Sequence, residues 1–354
     1  MSLARKTILL GVVLTVTAGV CLAQFRGGRG GGRGFGGRGG FGGRGDDNGP
    51  FIRTEGGPGE SGVLVNEDTV RTARETASHS TGLQTWTNTP GFEKDVFTFA
   101  RILYKENPAQ WRPQMVRWIN DYPDSDLNLS FRLQQMTSMK ADPDGRVLRL
   151  TDPAGFFNDK TTARPDFRDV HLTDLALWDY PFIYMVKPGG MELRDEEVPI
   201  LRKYLLNGGA LMADDFWGDS EWNNFESQIR RVLPGRNWQE LPFSHPIFHC
   251  VFPIESPPDF SKVQMPSIHR WERNQNPGSG RYGGWGAYRG GGDPNMHVRA
   301  WLDDKGRIMV IATHNTDNGD GWEREGEDPE YFQTFSETRA YPLGINIIFY
   351  LMTH

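Results

Sequence analysis

Two adjacent aspartates, Asp214 and Asp215, carry the strongest chemical signal in the sequence. They lie in Ala213-Asp214-Asp215-Phe216-Trp217-Gly218, after an apolar run read as a strand and before an amphipathic run read as a helix. In open α/β sheets, ligands bind beyond the carboxyl ends of the strands, so a polar turn at this place is a candidate ligand site. Two carboxylates there can hold a metal ion or divide the roles of acid and base. They can equally cap the following helix and pair with an arginine. Neighbouring side chains on extended chain point to opposite faces, which favours the structural reading over a paired-carboxylate mechanism.

His245 and His249 stand four apart, with Cys250 next. On a helix that spacing lets two imidazoles share a metal. Pro246 would leave His245 ahead of the helix, and no acid stands where a zinc-protease motif needs one. The expectation is a helix start over 244–246 with partly buried imidazoles, and Cys250 as a small buried hydrophobe. Residues 314–322, HNTDNGDGW, follow a strand. Thr316, Asn318, Asp320, Gly321 and Glu327 mimic the spacing of an EF-hand calcium loop, but the first ligand is Thr and the loop is entered from a strand. A polar turn at the ligand edge of the sheet is expected instead, where His314 and Asp317 can line the same cleft as Asp214. The candidate ligand-binding set is Asp214, Asp215, His245, His314 and Asp317. No metal and no cofactor are expected. The sequence has no P-loop, no dinucleotide-binding glycine fingerprint and no Gly-x-Ser-x-Gly elbow, so nucleotide binding and serine hydrolase chemistry have no support.

The elements that must position these residues alternate in type. Residues 96–104, VFTFARILY, are β-branched and aromatic and predict a strand. Helical spacing follows over 112–121 and 125–138, through Met115, Trp118 and Ile119, then Leu127, Leu129, Leu133 and Met136. Short strands are predicted at 147–150 and 180–186; the second, YPFIYMV, is apolar throughout, as in a sheet buried on both faces. A helix over 195–207 ends at Gly208 and Gly209, a strand covers 210–213, and a helix runs over 220–233 with Asp219 as its N-cap. A hairpin joins 297–302 to 307–312 across Asp303-Asp-Lys-Gly, and 342–352 reads as a buried helix. This pattern predicts a three-layer α/β fold of flavodoxin-like type. Its sheet is mostly parallel with helices on both faces, and a C-terminal hairpin and a buried C-terminal helix complete it.

FTFARILY at 97–104, DYPFIYMVKPGGMELRDEE at 179–197, LRKYLLNGGALMADDFWG at 201–218, HPIF at 245–248 and LGINIIFYLMTH at 343–354 are similar to the domain of unknown function 4159 family. The resemblance covers about 96–354. It implies a fold like that of class I glutamine amidotransferases and their non-catalytic relatives, with no enzymatic activity to carry over. In the amidotransferase relatives the corresponding turn holds a nucleophilic Cys. Here Asp214 and Asp215 stand in that turn, and a carboxylate cannot attack an amide as a thiolate does, so glutaminase chemistry is not expected. The Gly-rich stretch 277–293 is an addition to the family's usual pattern and reads as a loop insertion.

Residues 1–23 read as a cleavable secretory signal: Arg5 and Lys6, then an uncharged run, then Cys21-Leu22-Ala23 with small residues at the cleavage positions. An extracytoplasmic location is therefore expected, with Cys250 the one thiol left after cleavage. Residues 24–64 are read as a Gly/Arg-rich tether and linker, 65–95 as an N-terminal extension with a short helix over 66–78, and 96–354 as the α/β domain. The tether carries Arg26, Arg29, Arg33, Arg38 and Arg44 and no acid up to residue 45, ahead of a chain whose net charge is −6. A basic tail thus precedes an acidic body. The preferred reading of that tail is a solvated tether, and the alternative is docking to an anionic envelope polymer. Behind a secretory signal no nucleic-acid partner is expected. The functional expectation is a non-catalytic ligand- or partner-binding module. The rival is an envelope hydrolase that uses Asp214 or Asp215 with a nearby His or metal.

Overall fold

The computed structural model describes residues 51–54, 62–80, 85–93, 95–106, 117–150, 175–254, 260, 263–268, 271 and 294–354. The expected secretory signal, the arginine-bearing part of the expected tether, the first part of the helix expected over 112–121 and the Gly-rich stretch 277–293 lie outside these residues.

β1 (Phe51–Arg53) pairs antiparallel with β2 (Leu64–Asn66) in a small sheet of its own. Among the described residues the main sheet has seven strands: β3 (Ala100–Leu103), β4 (Arg146–Arg149), β5 (Phe182–Val186), β6 (Ala210–Phe216), β7 (Gln239–Glu240), β8 (His297–Leu302) and β9 (Ile308–His314). Their order is β4-β3-β5-β6-β9-β8-β7. The first five run parallel, and β8 and β7 extend the sheet antiparallel, β8 through the expected hairpin. The parallel strands therefore lie in the order second, first, third, fourth, fifth, which is flavodoxin-like. The order reverses between β3 and β5, where such folds open a crevice at the carboxyl ends.

The apolar runs explain why the sheet is buried on both faces. Along β5, Ile183 and Met185 join one core cluster, while Phe182, Tyr184 and Val186 join the other. On β6, Leu211 and Ala213 face the first cluster and Met212 the second. This is the two-residue period of a strand covered twice. After α1 (Asp124–Met136), helices α2 (Glu197–Leu206) and α3 (Gly218–Val232) cover the first face through Leu201, Leu205, Trp222, Phe225, Ile229 and Val232. The short α4 (Asn318–Glu323) is followed by a helical run that includes α5 (Tyr341–Thr353); α5 covers the second face through Leu343, Ile345, Ile347 and Ile348, joined there by Leu129 and Leu133 of α1.

Four local expectations are corrected. Residues 66–78 do not form a helix: Asn66 accepts a hydrogen bond from the Asp68 N–H at 2.9 Å, an Asx turn that competes with helix, and only Ala73–Glu75 makes a 3-10 turn. Residues 117–123 are turns and not the end of a helix. β6 runs on to Phe216, so Asp214 and Asp215 belong to the strand, and its register with β9 shifts between Ala213 and Phe216. α3 begins at Gly218, with Trp217 at the N-cap and Asp219 in the first turn. Glu221, one turn into the helix, reaches back instead and accepts from the Trp217 N–H at 2.9 Å, which satisfies the N-cap donor.

Candidate functional site at the carboxyl edge of the sheet

Among the described residues, four that are not glycine adopt positive φ: Asp121 (59°), Lys187 (50°), Asp215 (54°) and Asn315 (61°). Left-handed backbone costs a residue with a β-carbon on the order of 1 kcal/mol and concentrates at functional sites. All four belong to one edge. Lys187 follows β5, Asp215 sits in the bulged end of β6 and Asn315 follows β9. The Lys187 N–H donates to the Asp214 carbonyl at 2.8 Å, the Asn315 N–H to the Phe216 carbonyl at 3.0 Å, and the Gly218 N–H to Asn315 Oδ1 at 2.9 Å. Tyr104, just past β3, donates its hydroxyl to the carbonyls of Val186 and Lys187 at 2.8 and 2.9 Å.

Asp121 is brought to the same edge by Arg101 of β3. That guanidinium is fully buried and donates to the carbonyls of Trp118 (3.0 Å) and Asn120 (2.9 Å), to Ser125 Oγ (2.8 Å), and through Nε to both oxygens of Asp126 (3.1 and 3.0 Å). A second guanidinium nitrogen also pairs closely with Asp126. The rings of Tyr122 and Tyr184 lie 5.7 and 5.2 Å from its carbon. One strand side chain thereby organises the turn 118–126, with Asp121 in its middle.

The two aspartates that stood out in the sequence have separate tasks. Asp214 accepts from the N–H groups of Asn318 (2.9 Å) and Gly319 (3.1 Å), from Asn318 Nδ2 (2.8 Å), from Thr313 Oγ1 and from Tyr184 Oη (3.4 Å). It ties β6 to the start of α4, the structural reading. Burial pushes its carboxyl up to about 6, against the pull of these donors. Asp215 accepts from Trp217 Nε1 at 2.8 Å and Asn120 Nδ2 at 3.3 Å, and Lys187 Nζ lies 3.1 Å away. Burial raises its carboxyl to about 7, with Lys187 opposing and Asp320 and Asp214 adding to the rise.

Asp317 and Asp320 complete the edge. Asp317 accepts from the Asp320 N–H at 3.0 Å, and Asp320 Oδ2 accepts from the Ile268 N–H at 2.6 Å. Oxygens of Asp121, Asp317 and Asp320 all lie within 4.8 Å of one another, and all three residues are buried. Burial, and then the neighbouring carboxylates, hold Asp121 and Asp317 well above the usual range.

Of the residues singled out from sequence, Asp214, Asp215 and Asp317 come together. His314 does not share their cleft: its Nε2 pairs with the Gly218 carbonyl at 3.1 Å, and its ring packs on Phe216 and Trp222 at 5.0 and 5.4 Å. Two residues beyond Ala312 on β9, it falls on the first face by the strand's own alternation. His245 lies elsewhere. Its Nδ1 caps the 3-10 turn Pro246–Phe248 by accepting from the Ile247 N–H at 3.2 Å, and its ring stands 5.2 Å from Tyr350. His249 binds the Phe243 carbonyl at 2.9 Å. Cys250 is not at the turn after β6; its Sγ contacts the Asn346 carbonyl at 3.3 Å, and burial raises its thiol. The EF-hand spacing also dissolves: Thr316 accepts from the Met265 N–H at 2.8 Å, Asn318–Glu323 is helical, and Glu327 pairs with His79 and Arg324.

Sequence reading missed Asp121, Lys187 and Asn120, and it treated Asp320 only as part of a rejected loop. Lys187 was accessible to the same rule that found Asp215, since it directly follows an apolar strand. Asp121 carried no local signal, because its place depends on Arg101.

The chain belongs to the family described as domain of unknown function (DUF4159), whose model matches residues 98–352. No curated protein matches the chain.

Proposed function

We propose that this member of the domain of unknown function 4159 family is an exported ligand- or partner-binding module whose site is the carboxyl edge built around Asp215, and that it is not a glutaminase. One observation carries the reading. Asp215 holds left-handed backbone, φ 54°, in the bulged end of β6, near where an amidotransferase-like fold would present its sulfur, and it is already engaged by Lys187, Trp217 and Asn120. The thiol is remote from that turn, and the imidazole of His314 is turned toward Gly218. A preorganised charged edge beside the switch point of an open sheet is suited to holding a ligand. The expected secretory signal supports a location outside the cytoplasm, with the tether from Arg26 to Arg44 as spacer.

The test is turnover. The purified chain should release no ammonia from glutamine and should cleave none of a panel of ester, amide and glycoside reporters. Turnover that disappears in Asp215→Asn would overturn the binding reading in favour of the hydrolase.

A further inference from the structure

The cluster of Asp121, Asp317 and Asp320 is distinguished from an ordinary acidic patch by one atom. Asp121 is fully buried, and its Oδ2 has no hydrogen-bond partner. Its other oxygen accepts from Asn120 Nδ2. Buried polar atoms are rarely left unsatisfied, and an orphaned carboxylate oxygen is among the most costly. Its aim is defined by Gly319, the residue between the other two aspartates: a β-carbon built there would overlap Oδ2. The orphan therefore points into the turn that carries Asp317 and Asp320. Asn318, in the same turn, has a second buried oxygen without a partner, its Oδ1.

We propose that Asp121, Asp317 and Asp320 bind one hard divalent cation, calcium or magnesium, and that the ion clasps the turn before α1 to the start of α4. The donor set is all oxygen, which selects this class over softer metals. The 4.8 Å limit on the separations fits one ion, since oxygens on opposite sides of calcium stand roughly 4.6–5.2 Å apart. Two of the three side chains are already oriented by backbone donors, Asp317 by the Asp320 N–H and Asp320 by the Ile268 N–H. Lys187 Nζ lies 3.1 Å from Asp215, and its charge opposes without cancelling the rise that burial and the neighbouring carboxylates cause at Asp121 and Asp317. Like charges this close in a buried place demand either protons or a cation. The orphaned oxygen, aimed at its two neighbours, favours the cation.

This goes beyond the ligand-site reading, and its test does not depend on it. The purified chain is stripped with chelator, and binding of CaCl2 and MgCl2 is measured separately by calorimetry and by metal analysis after dialysis. One equivalent of one or both ions should bind at sub-millimolar concentration, and the melting temperature should rise by several degrees at saturation. Asp121→Asn should bind more than about tenfold more weakly, since a charged ligand is lost. Asp317→Asn, which keeps an N-cap acceptor, should do the same and serves if the first variant does not fold. Two results would overturn the proposal: wild-type chain that binds neither ion at millimolar concentration, or folded variants that bind as tightly as wild type. Turnover of a reporter substrate would leave this result unaffected, so the two readings fail separately.

Discussion

Asp121 Oδ2 occupies the space that a β-carbon on Gly319 would need. The two residues come from turns far apart in the chain, one ahead of α1 and one at the start of α4. Their contact brings an acidic side chain of one turn against the backbone of the other. The edge of the sheet is thus assembled by shape as well as by charge.

Gly319→Ala should consequently displace Asp121. A methyl group forced into a packed interior costs about 1–3 kcal/mol. Denaturant titration should show that loss of stability, together with a weakened response to calcium or magnesium. An unchanged midpoint would mean that the turn relaxes freely and that the position of Asp121 is not specified.

Arg101 holds the turn 118–126 from a strand, and neither it nor Asp126 reaches solvent. Arg101→Met leaves the Asp126 carboxylate buried without its partner, which costs about 3–5 kcal/mol. The double variant Arg101→Met/Asp126→Leu should recover part of that loss, because no buried charge is then stranded. It should not recover cation binding, because the carbonyls of Trp118 and Asn120 lose the guanidinium that positions the Asp121 turn. Equilibrium unfolding and calorimetry on the two variants separate these outcomes.

Asp214→Ala strands the N–H groups of Asn318 and Gly319 at the start of α4. Each buried unsatisfied donor costs about 1–3 kcal/mol. Asp214→Asn retains one acceptor and should lose less. If the two variants are equally stable, Asp214 is not the anchor of this turn.

His79, paired with Asp124, Glu323 and Glu327, sets a pH dependence of its own. Burial by itself would lower its pKa. Hydrogen bonds to Glu323 and Glu327 and the charges of Glu323 and Asp124 outweigh burial and raise it to about 10. Between the ordinary value of 6.5 and about 10 the folded chain keeps a proton that the unfolded chain has released. Its contribution to stability is therefore complete below 6.5 and is lost as pH rises through the folded value, at no more than about 1.4 kcal/mol per pH unit. Denaturation midpoints from pH 6 to pH 10 should fall more steeply for wild type than for His79→Gln. Parallel curves would show that His79 is neutral in the folded protein.

Much of this fold was legible because its signals are local. FIYMV at 182–186 and the stripe Trp222, Phe225, Ile229 and Val232 each identify a doubly covered strand and an amphipathic helix without reference to the rest of the chain. The site was legible as a place and not as an arrangement. The strand-end rule found Asp214 and Asp215, but their separate roles depend on the bulge in β6 and on donors contributed by Asn318, Gly319, Lys187 and Asn120. His314 leaves the cleft because alternation along β9 puts it on the face of Ala312. Asp121 could not be found at all, since a buried arginine on β3 decides where it stands.

The proposed role of the carboxyl edge of the sheet is to hold a charged guest. Anomalous diffraction from crystals of the chain grown with manganese, a heavier stand-in for the same class of ion, tests this most directly. A single strong peak bonded to oxygens of Asp121, Asp317 and Asp320 is expected. A blank map in which these three carboxyl groups share protons with one another would contradict it.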